Sequence, residues 1–277
     1  MLGKRNYYYL VAGLQDISLD IHKLIEDQTA FRETLKTHVH PVDYKLVRKL
    51  FLPFDNANLL KLLEKSDRPL SEKGNFSREF LEENIREPAE LPEYMIRFIT
   101  AFKNKEPLFP DLSPENELTT LFYGEMEQEE NDFLREWFRF DLFIRNVLTA
   151  LSARKYKLDY EHQIIGTGER AEAIRKSHAR DFGLSAEVDY LEELVNLSRI
   201  EDIQEREMAV DQFKWDYLDE VTFFKYFTIE RILAFMIKLG MVERWLAIDK
   251  THGNELFRKL LKELQASYTL PDTFTEK

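Results

Sequence analysis

Apolar positions recur along most of the chain at intervals of three and four, the spacing of one helical face. The clearest stretch is residues 131–156. There Leu134, Trp137, Phe138, Asp141, Ile144, Arg145, Leu148 and Leu151 follow that interval, and their apolar members form one stripe. A helix of this extent is roughly 39 Å long at 1.5 Å per residue. That length suits a scaffold spine better than a compact enzyme. Tyr94, Met95, Phe98, Ile99 and Phe102 make a second stripe. Tyr44, Val47, Leu50 and Phe51 make a third, opened by Pro41 and stopped by Pro53. Ser77 opens a helix carrying Phe80, Leu81 and Ile85, and Tyr190, Leu191, Leu194 and Leu197 share a face. Residues 200–226 form another long segment. Ile229, Ile232, Leu233, Phe235, Met236, Leu239, Val242, Trp245 and Leu246 then fill residues 228–248.

Between these stretches the pattern is looser. Tyr7-Tyr8-Tyr9-Leu10-Val11-Ala12 fits a strand or a short helix, interrupted by Gly13. Asp16 or Ser18 is placed to cap a helix bearing Leu19, Leu24, Ile25, Phe31 and Leu35. Asp55 is placed to cap a short helix with Leu59, Leu60, Leu62 and Leu63. Residues 66–76 hold Pro69 and Gly74 and read as a loop. Residues 104–114 hold Pro107, Pro110 and Pro114 and form the clearest linker, so a first subdomain boundary falls there. Residues 159–188 are more polar, with a charged helix from Glu169 to Arg180. Gly253 precedes a final helix with Leu256, Phe257, Leu260, Leu261 and Leu264, and a polar tail follows Pro271. The expected fold class is all-α, with tentative subdomains at residues 1–110, 111–188 and 189–277.

Composition reinforces this picture. Only nine Gly and nine Pro occur, too few for the tight turns of a parallel α/β enzyme. The chain is 44% hydrophobic and 32% charged, which is a globular balance rather than a disordered one. Cysteine is absent, so no disulfide, thiolate metal site or cysteine nucleophile exists. The longest apolar runs, Tyr7 to Ala12 and Ile232 to Ile237, fall far short of the ~20 residues of a spanning helix. The opening Met-Leu-Gly-Lys-Arg-Asn lacks an apolar signal core, so no leader is expected. A net charge of -12 argues against a general nucleic-acid binder and against direct binding to an anionic bilayer.

Candidate chemistry is thin. Gly166-Thr167-Gly168 is a G-x-G, but only Ile164-Ile165 precedes it and no β-rich unit follows. A flexible loop opening a helix is the better reading. His38-x-His40 has metal-ligand spacing but no nearby third ligand. No Glu-x-x-His pair of the di-iron kind occurs, because the residues three before the histidines are Leu19, Leu35, Thr37, Asp159, Arg175 and Asp249. The acidic run Glu125-Met126-Glu127-Gln128-Glu129-Glu130 reads as a solvated face or one that meets a basic partner. No Gly-x-Ser-x-Gly or Walker sequence is present. No catalytic group, cofactor or metal is therefore expected. What remains is polar groups set beside apolar stripes: Arg145, Asn146, Lys238, Glu243 and Arg244. They read either as a solvated helix face or as a surface for a protein partner.

Three stretches give this reading a direction. They are Asn6 to Leu14; Phe140 to Arg154, where Asp141 and Asn146 precede the basic Arg154; and Glu205-Arg206-Glu207 and Asp211 through Phe227-Thr228-Ile229-Glu230-Arg231 to Lys238. In order and spread they resemble the C-subunit family of the V/A-type rotary ATPases (the d-subunit of the eukaryotic V-ATPase), in the divergent form found beside V-type ATPase genes in some bacteria. Gly13 stands where that family commonly continues with basic residues.

The resemblance implies an all-helical funnel of three similar subdomains. Members of that family are non-catalytic, sit on the cytoplasmic end of the membrane rotor ring, and receive the foot of the central stalk. The partners of this chain would be the central-stalk subunits and the ring. It would be peripheral on the inner membrane and would serve ATP-linked proton or sodium transport. The resemblance adds Asp141, Arg154, Glu230 and Arg231 to the candidate interface. A helical adaptor or regulatory scaffold unrelated to rotary ATPases is the alternative. A hydrolase using the carboxylate-rich loops is a third reading.

Overall fold

A computed structural model describes residues 5–267, with side chains for residues 5–249. Among the described residues there are twelve α-helices, one short 3-10 turn and no strand. The chain is all-α, as its periodicity requires. In order the helices are α1 (Tyr8–Ala12), α2 (Gln28–His38), α3 (Pro41–Lys49), α4 (Leu52–Leu63), α5 (Arg78–Arg86) and α6 (Glu93–Asn104). They continue as α7 (Pro114–Met126), α8 (Asp132–Tyr156), α9 (Glu169–Lys176), α10 (Leu191–Leu197), α11 (Ile203–Thr222) and α12 (Ile229–Ser267). None of the described helices is long and apolar enough to cross a membrane.

Local chemistry sets most boundaries. Side-chain oxygens of Asp27, Ser77, Ser113, Asn131 and Asp202 accept backbone N–H groups in the first turns of α2, α5, α7, α8 and α11. Pro41, Pro53 and Pro114 sit in first turns, where the missing N–H costs nothing. Pro53 thus opens α4 rather than only closing the stripe before it.

Several expected boundaries shift. The cap of α2 is Asp27, not Asp16 or Ser18, and Leu19, Leu24 and Ile25 precede the helix. The Gln15 side chain closes that segment: its amide donates to Glu26 O at 2.8 Å and its carbonyl accepts from Ile25 N at 3.1 Å. Ile25 is left 91% exposed. The helix expected over 131–156 is α8, and α7 precedes it across a break at residues 127–131. Gly253 does not start a new helix, because α12 runs through it without a break. A mid-helix glycine costs only about 1 kcal/mol, and no proline follows until Pro271. The side chains of Leu256, Phe257, Leu260, Leu261 and Leu264, and the tail after Pro271, lie outside the described residues.

The helices pack in a closed circuit. α4 packs on α7, α7 on α8, α8 on α10, α10 on α11, α11 on α12, and α12 on α1, α2 and α3. α6 also packs on α7, so the proline-rich residues 105–113 form a tight connection between touching helices. One continuous core runs from Tyr7 to Trp245. Phe140 stacks on Tyr217 at 3.7 Å between centroids, joining α8 to α11. Phe31 meets Phe235 edge-on at 5.1 Å, joining α2 to α12.

Asp55 does not cap α4. It is fully buried and accepts from Asn75 N at 2.6 Å, Phe76 N at 3.1 Å and Asn75 Nδ2 at 2.5 Å. Burial pushes its carboxyl up to about 6, against the Asn75 and Phe76 hydrogen bonds that lower it. The 66–76 loop is thereby pinned to α4. Gly74 passes so close that a Cβ there would lie 2.7 Å from Asp55 Oδ1. Asp55 is held by several donors and has no room to yield. Gly74→Ala should therefore lower the unfolding free energy by about 1–3 kcal/mol in urea titration, with the m-value unchanged.

Candidate partner interface

Most of the charged residues expected at a partner surface tie the chain's own helices together. Asp141 of α8 accepts from Tyr123 Oη of α7 at 2.7 Å and from Lys214 Nζ of α11 at 2.5 Å. Burial pushes its carboxyl up, but the Lys214 ammonium and the Tyr123 hydroxyl outweigh this and hold it below the usual carboxylate range. Asn146 is buried and clamps Ile165: its amide donates to the Ile165 carbonyl at 2.7 Å and its oxygen accepts the Ile165 N–H at 2.9 Å. Arg154 donates to Ser177 O, to Ala179 O at 2.7 Å and to Tyr160 Oη, and lies 4.2 Å over the Phe182 ring.

The α12 residues behave alike. Arg231 donates to Thr222 Oγ1 at 3.2 Å and pairs with Asp219. Lys238 is buried, pairs with Asp219 at 2.6 Å and lies 4.4 Å over the Trp215 ring. Burial pushes its ammonium down, and Asp219 partly restores it. Glu243 accepts from the Gln28 backbone N–H and pairs with Lys73. Arg244 pairs with the buried Asp211, which also accepts from Trp245 Nε1 at 2.8 Å. These groups hold α12 to α2, α11 and the 66–76 loop.

Two candidates stand apart. Arg145 is exposed on α8, near Asp141. Glu230, in the first turn of α12, is only 9% exposed, yet its Oε2 has no hydrogen-bond partner. Among the described residues the one other buried side-chain oxygen in that condition is Thr228 Oγ1, two positions away. An unmet buried polar group costs about 1–3 kcal/mol, more when charged, so the pair marks a place the fold leaves unfinished.

Glu230 and Thr228 line a cavity of about 470 Å³. Its walls come from α3, α8, α11, the start of α12 and the 127–131 turn, so early, middle and late parts of the chain converge there. Its charged residues are Asp43, Glu130, Asp132, Glu136 and Glu230 against Arg5 and Lys225. Asp43 is engaged by Arg5 at 3.2 Å and by the Tyr7 hydroxyl, Asp132 by Arg135, and Glu136 by Arg139 at 3.0 Å. Burial, then the Asp43 hydrogen bond, push the Tyr7 phenol up to about 12, so it stays a donor. Glu130 is exposed.

An aromatic rim adjoins the cavity. Phe223, Phe224, Tyr226 and Phe227 share the α11–α12 turn with the cavity residues Lys225 and Thr228; the first three are largely exposed and Phe227 partly so. Tyr8 packs on Phe227 at 4.6 Å between centroids, and Phe223 on Phe224 at 4.9 Å. The Tyr7 N–H donates to Phe227 O at 2.6 Å. Tyr9 is 83% exposed and Phe224 78%.

The remaining motifs are structural. Gly166 has φ +91°, and the N–H groups of Ile165 and Gly166 are taken by Asn146 and by Thr120 Oγ1 at 3.3 Å. Arg175 donates to Ile164 O and Gly166 O. The G-x-G loop is therefore pinned, not flexible. His40 Nδ1 caps α3 through Val42 N at 3.2 Å, and His38 Nδ1 bonds Thr34 O at 2.9 Å. Among the described residues no group of three or more His, Asp and Glu is arranged to hold a metal ion.

A family model described as "Protein of unknown function (DUF2764)" matches residues 4–268. The chain belongs to this family. No curated protein and no solved structure matches it. The cavity and its aromatic rim lie within the span that defines the family.

Of the candidate residues, the cavity collects only Glu230. Nothing in the sequence singles out Asp43 or Glu136, and Thr228 enters only as one residue of a resembling stretch. A glutamate in the first helical turn is ordinary dipole chemistry, and its neighbours in the chain do not reveal that it lacks a partner.

Truncation separates ties from surface. Asp141→Ala, which strands Lys214 and Tyr123, should cost about 3 kcal/mol, whereas Arg145→Ala should stay within about 0.5 kcal/mol of the parent by urea denaturation. Glu230→Gln should leave the thermal midpoint unchanged or raise it, since it removes an unmet buried charge. A calorimetric scan at pH 7 checks this, and a midpoint several degrees lower would show that Glu230 has a stabilising partner.

Proposed function

We propose that the protein is a non-catalytic rotor component of a V/A-type ATPase, seating the central stalk on the membrane ring. On this reading the helical circuit is the funnel, with residues 1–110, 111–188 and 189–277 as its three related parts. The protein works on the cytoplasmic side, peripheral to the membrane, and turns with the stalk during ATP-linked ion transport. The observation that carries the reading is the acidic cavity with an unpartnered carboxylate, bordered by exposed aromatic rings, where distant parts of the chain meet. A socket needs such a feature: stiff walls, an apolar rim and unmet charge for the inserted foot.

Two of the three stretches that carry the rotary-ATPase resemblance support the assignment by their location. Asn6 to Leu14 and Phe227 to Lys238 are joined through the Tyr7–Phe227 backbone bond, and the second of them supplies Thr228, Ile229 and Glu230 to the cavity wall. The charged residues of Phe140 to Arg154 and of α12 give the stiffness that torque transmission requires. Asp141, Arg154, Arg231, Lys238, Glu243 and Arg244 lock helices to one another, and Asn146 locks a loop. A helical adaptor outside rotary ATPases would use the same cavity and rim for a different protein.

Isolation of the tagged chain from its host under mild detergent tests the proposal. Stalk and ring proteins should co-purify in near-stoichiometric amounts. Their absence from an otherwise intact preparation would remove the rotor reading, and another stoichiometric protein in their place would establish the adaptor.

A further inference from the structure

We infer that the Glu230 cavity receives a lysine or arginine side chain from a partner protein, on a segment whose apolar neighbours lie across the aromatic rim. This does not rest on the rotor assignment, since it concerns the chemistry of the inserted segment rather than the complex it belongs to.

The cavity states half of an ion pair. Glu230 is 9% exposed, lines the wall, and has an oxygen without a partner. Thr228 Oγ1, on a second residue of the same lining, is another acceptor without a partner. An ammonium or guanidinium supplies donors only and matches two acceptors. A carboxylate or phosphate would meet Glu130 and Glu230, which no cation among the described residues pairs, while the other lining acids Asp43, Asp132 and Glu136 already occupy Arg5, Arg135 and Arg139. The volume of about 470 Å³ is within the range of side-chain and ligand sites.

The rim identifies the carrier as a protein segment. A free polyamine would fill the cavity and leave Phe223, Phe224 and Tyr226 in water. These rings form a turn bordering the cavity and extend to Tyr8 through Phe227. Exposed aromatic rings next to a buried charge are the composition of an interface centre, where aromatic anchors exclude water from a charged pair. The net charge of -12 disfavours an anionic bilayer as the surface covering them.

Photocrosslinking tests this in the host. The full chain with p-benzoylphenylalanine replacing Phe224 is irradiated in living cells, and the adduct is mapped by mass spectrometry. The expected result is a single segment with apolar residues at the adduct and a Lys or Arg within about two helical turns. Glu230→Gln should lower the adduct yield at least tenfold, and Glu230→Asp less. If Glu230→Gln fails to melt cooperatively, Thr228→Val serves instead, with a yield falling at least threefold. No adduct, a mapped segment without a basic residue, or a yield indifferent to the substitutions would overturn the inference.

In parallel the purified chain is titrated with spermidine. No micromolar binding is expected. Micromolar binding that Glu230→Gln abolishes and Phe224→Ala leaves intact would make a free polyamine the occupant and overturn the inference. The adduct's identity keeps the two proposals apart. A basic segment of a protein outside any rotary ATPase sustains this inference and removes the rotor reading. A stalk protein captured with no dependence on Glu230 does the reverse.

Discussion

The architecture depends on α12 returning to α2. The contact is unusually close. Gln28 Nε2 donates to the Met236 carbonyl at 3.1 Å, and a Cβ on Gly240 would come within 2.7 Å of that nitrogen. A side chain at residue 240 would have to push the Gln28 amide off the Met236 carbonyl, so the glycine keeps this bond in place. Phe31 on Phe235 and the grip of Glu243 on the Gln28 N–H and Lys73 lie on either side of it. Together with the packing of α12 on α1 and α3, it brings the early and late parts of the chain into one core.

The circuit explains where the charges go. Helices meeting at several junctions bring long polar side chains into partly enclosed seams, and each seam must satisfy them. Lys214 with Asp141, Lys238 with Asp219 and Arg244 with Asp211 each join two helices. Such pairs add little net stability over apolar packing of the same volume, but breaking one is costly. Their effect here is to fix how α12 and α8 are set against α11. Glu230 differs in kind. Among the described residues it is the buried acid with an oxygen that no donor meets, and it sits next in the chain to the exposed aromatic turn.

The helices are legible in the sequence because their stripes are regular. The Leu134-to-Leu151 pattern gives α8, and the Tyr94-to-Phe102 pattern gives α6. Errors fall where one side chain in a distant or local contact outweighs periodicity. Asp55 reads as a cap because its partners, Asn75 and Phe76, lie in a loop about twenty positions away. Leu19, Leu24 and Ile25 read as helical, but the Gln15 hydrogen bonds hold that stretch in another shape. The interface is less legible still. Arg145 and Glu243 are equally charged beside equally apolar stripes, yet one is exposed and the other is anchored to α2. Sequence records a residue's capacity to bond, and only the assembled fold shows whether that capacity is met.

The bond from Tyr7 N–H to the Phe227 carbonyl has a consequence for biosynthesis. Tyr7 leaves the ribosome long before its partner is made. At about 5–20 residues per second, the wait is on the order of ten to forty seconds. During that time Phe31, and the Gln28 side chain beside it, have no α12 to cover them. Helices α4 to α8 can assemble locally, but the circuit and its cavity come late. A nascent chain therefore passes through a long interval with an apolar seam unsealed, and its passage through that interval depends on the protection available while it is being made.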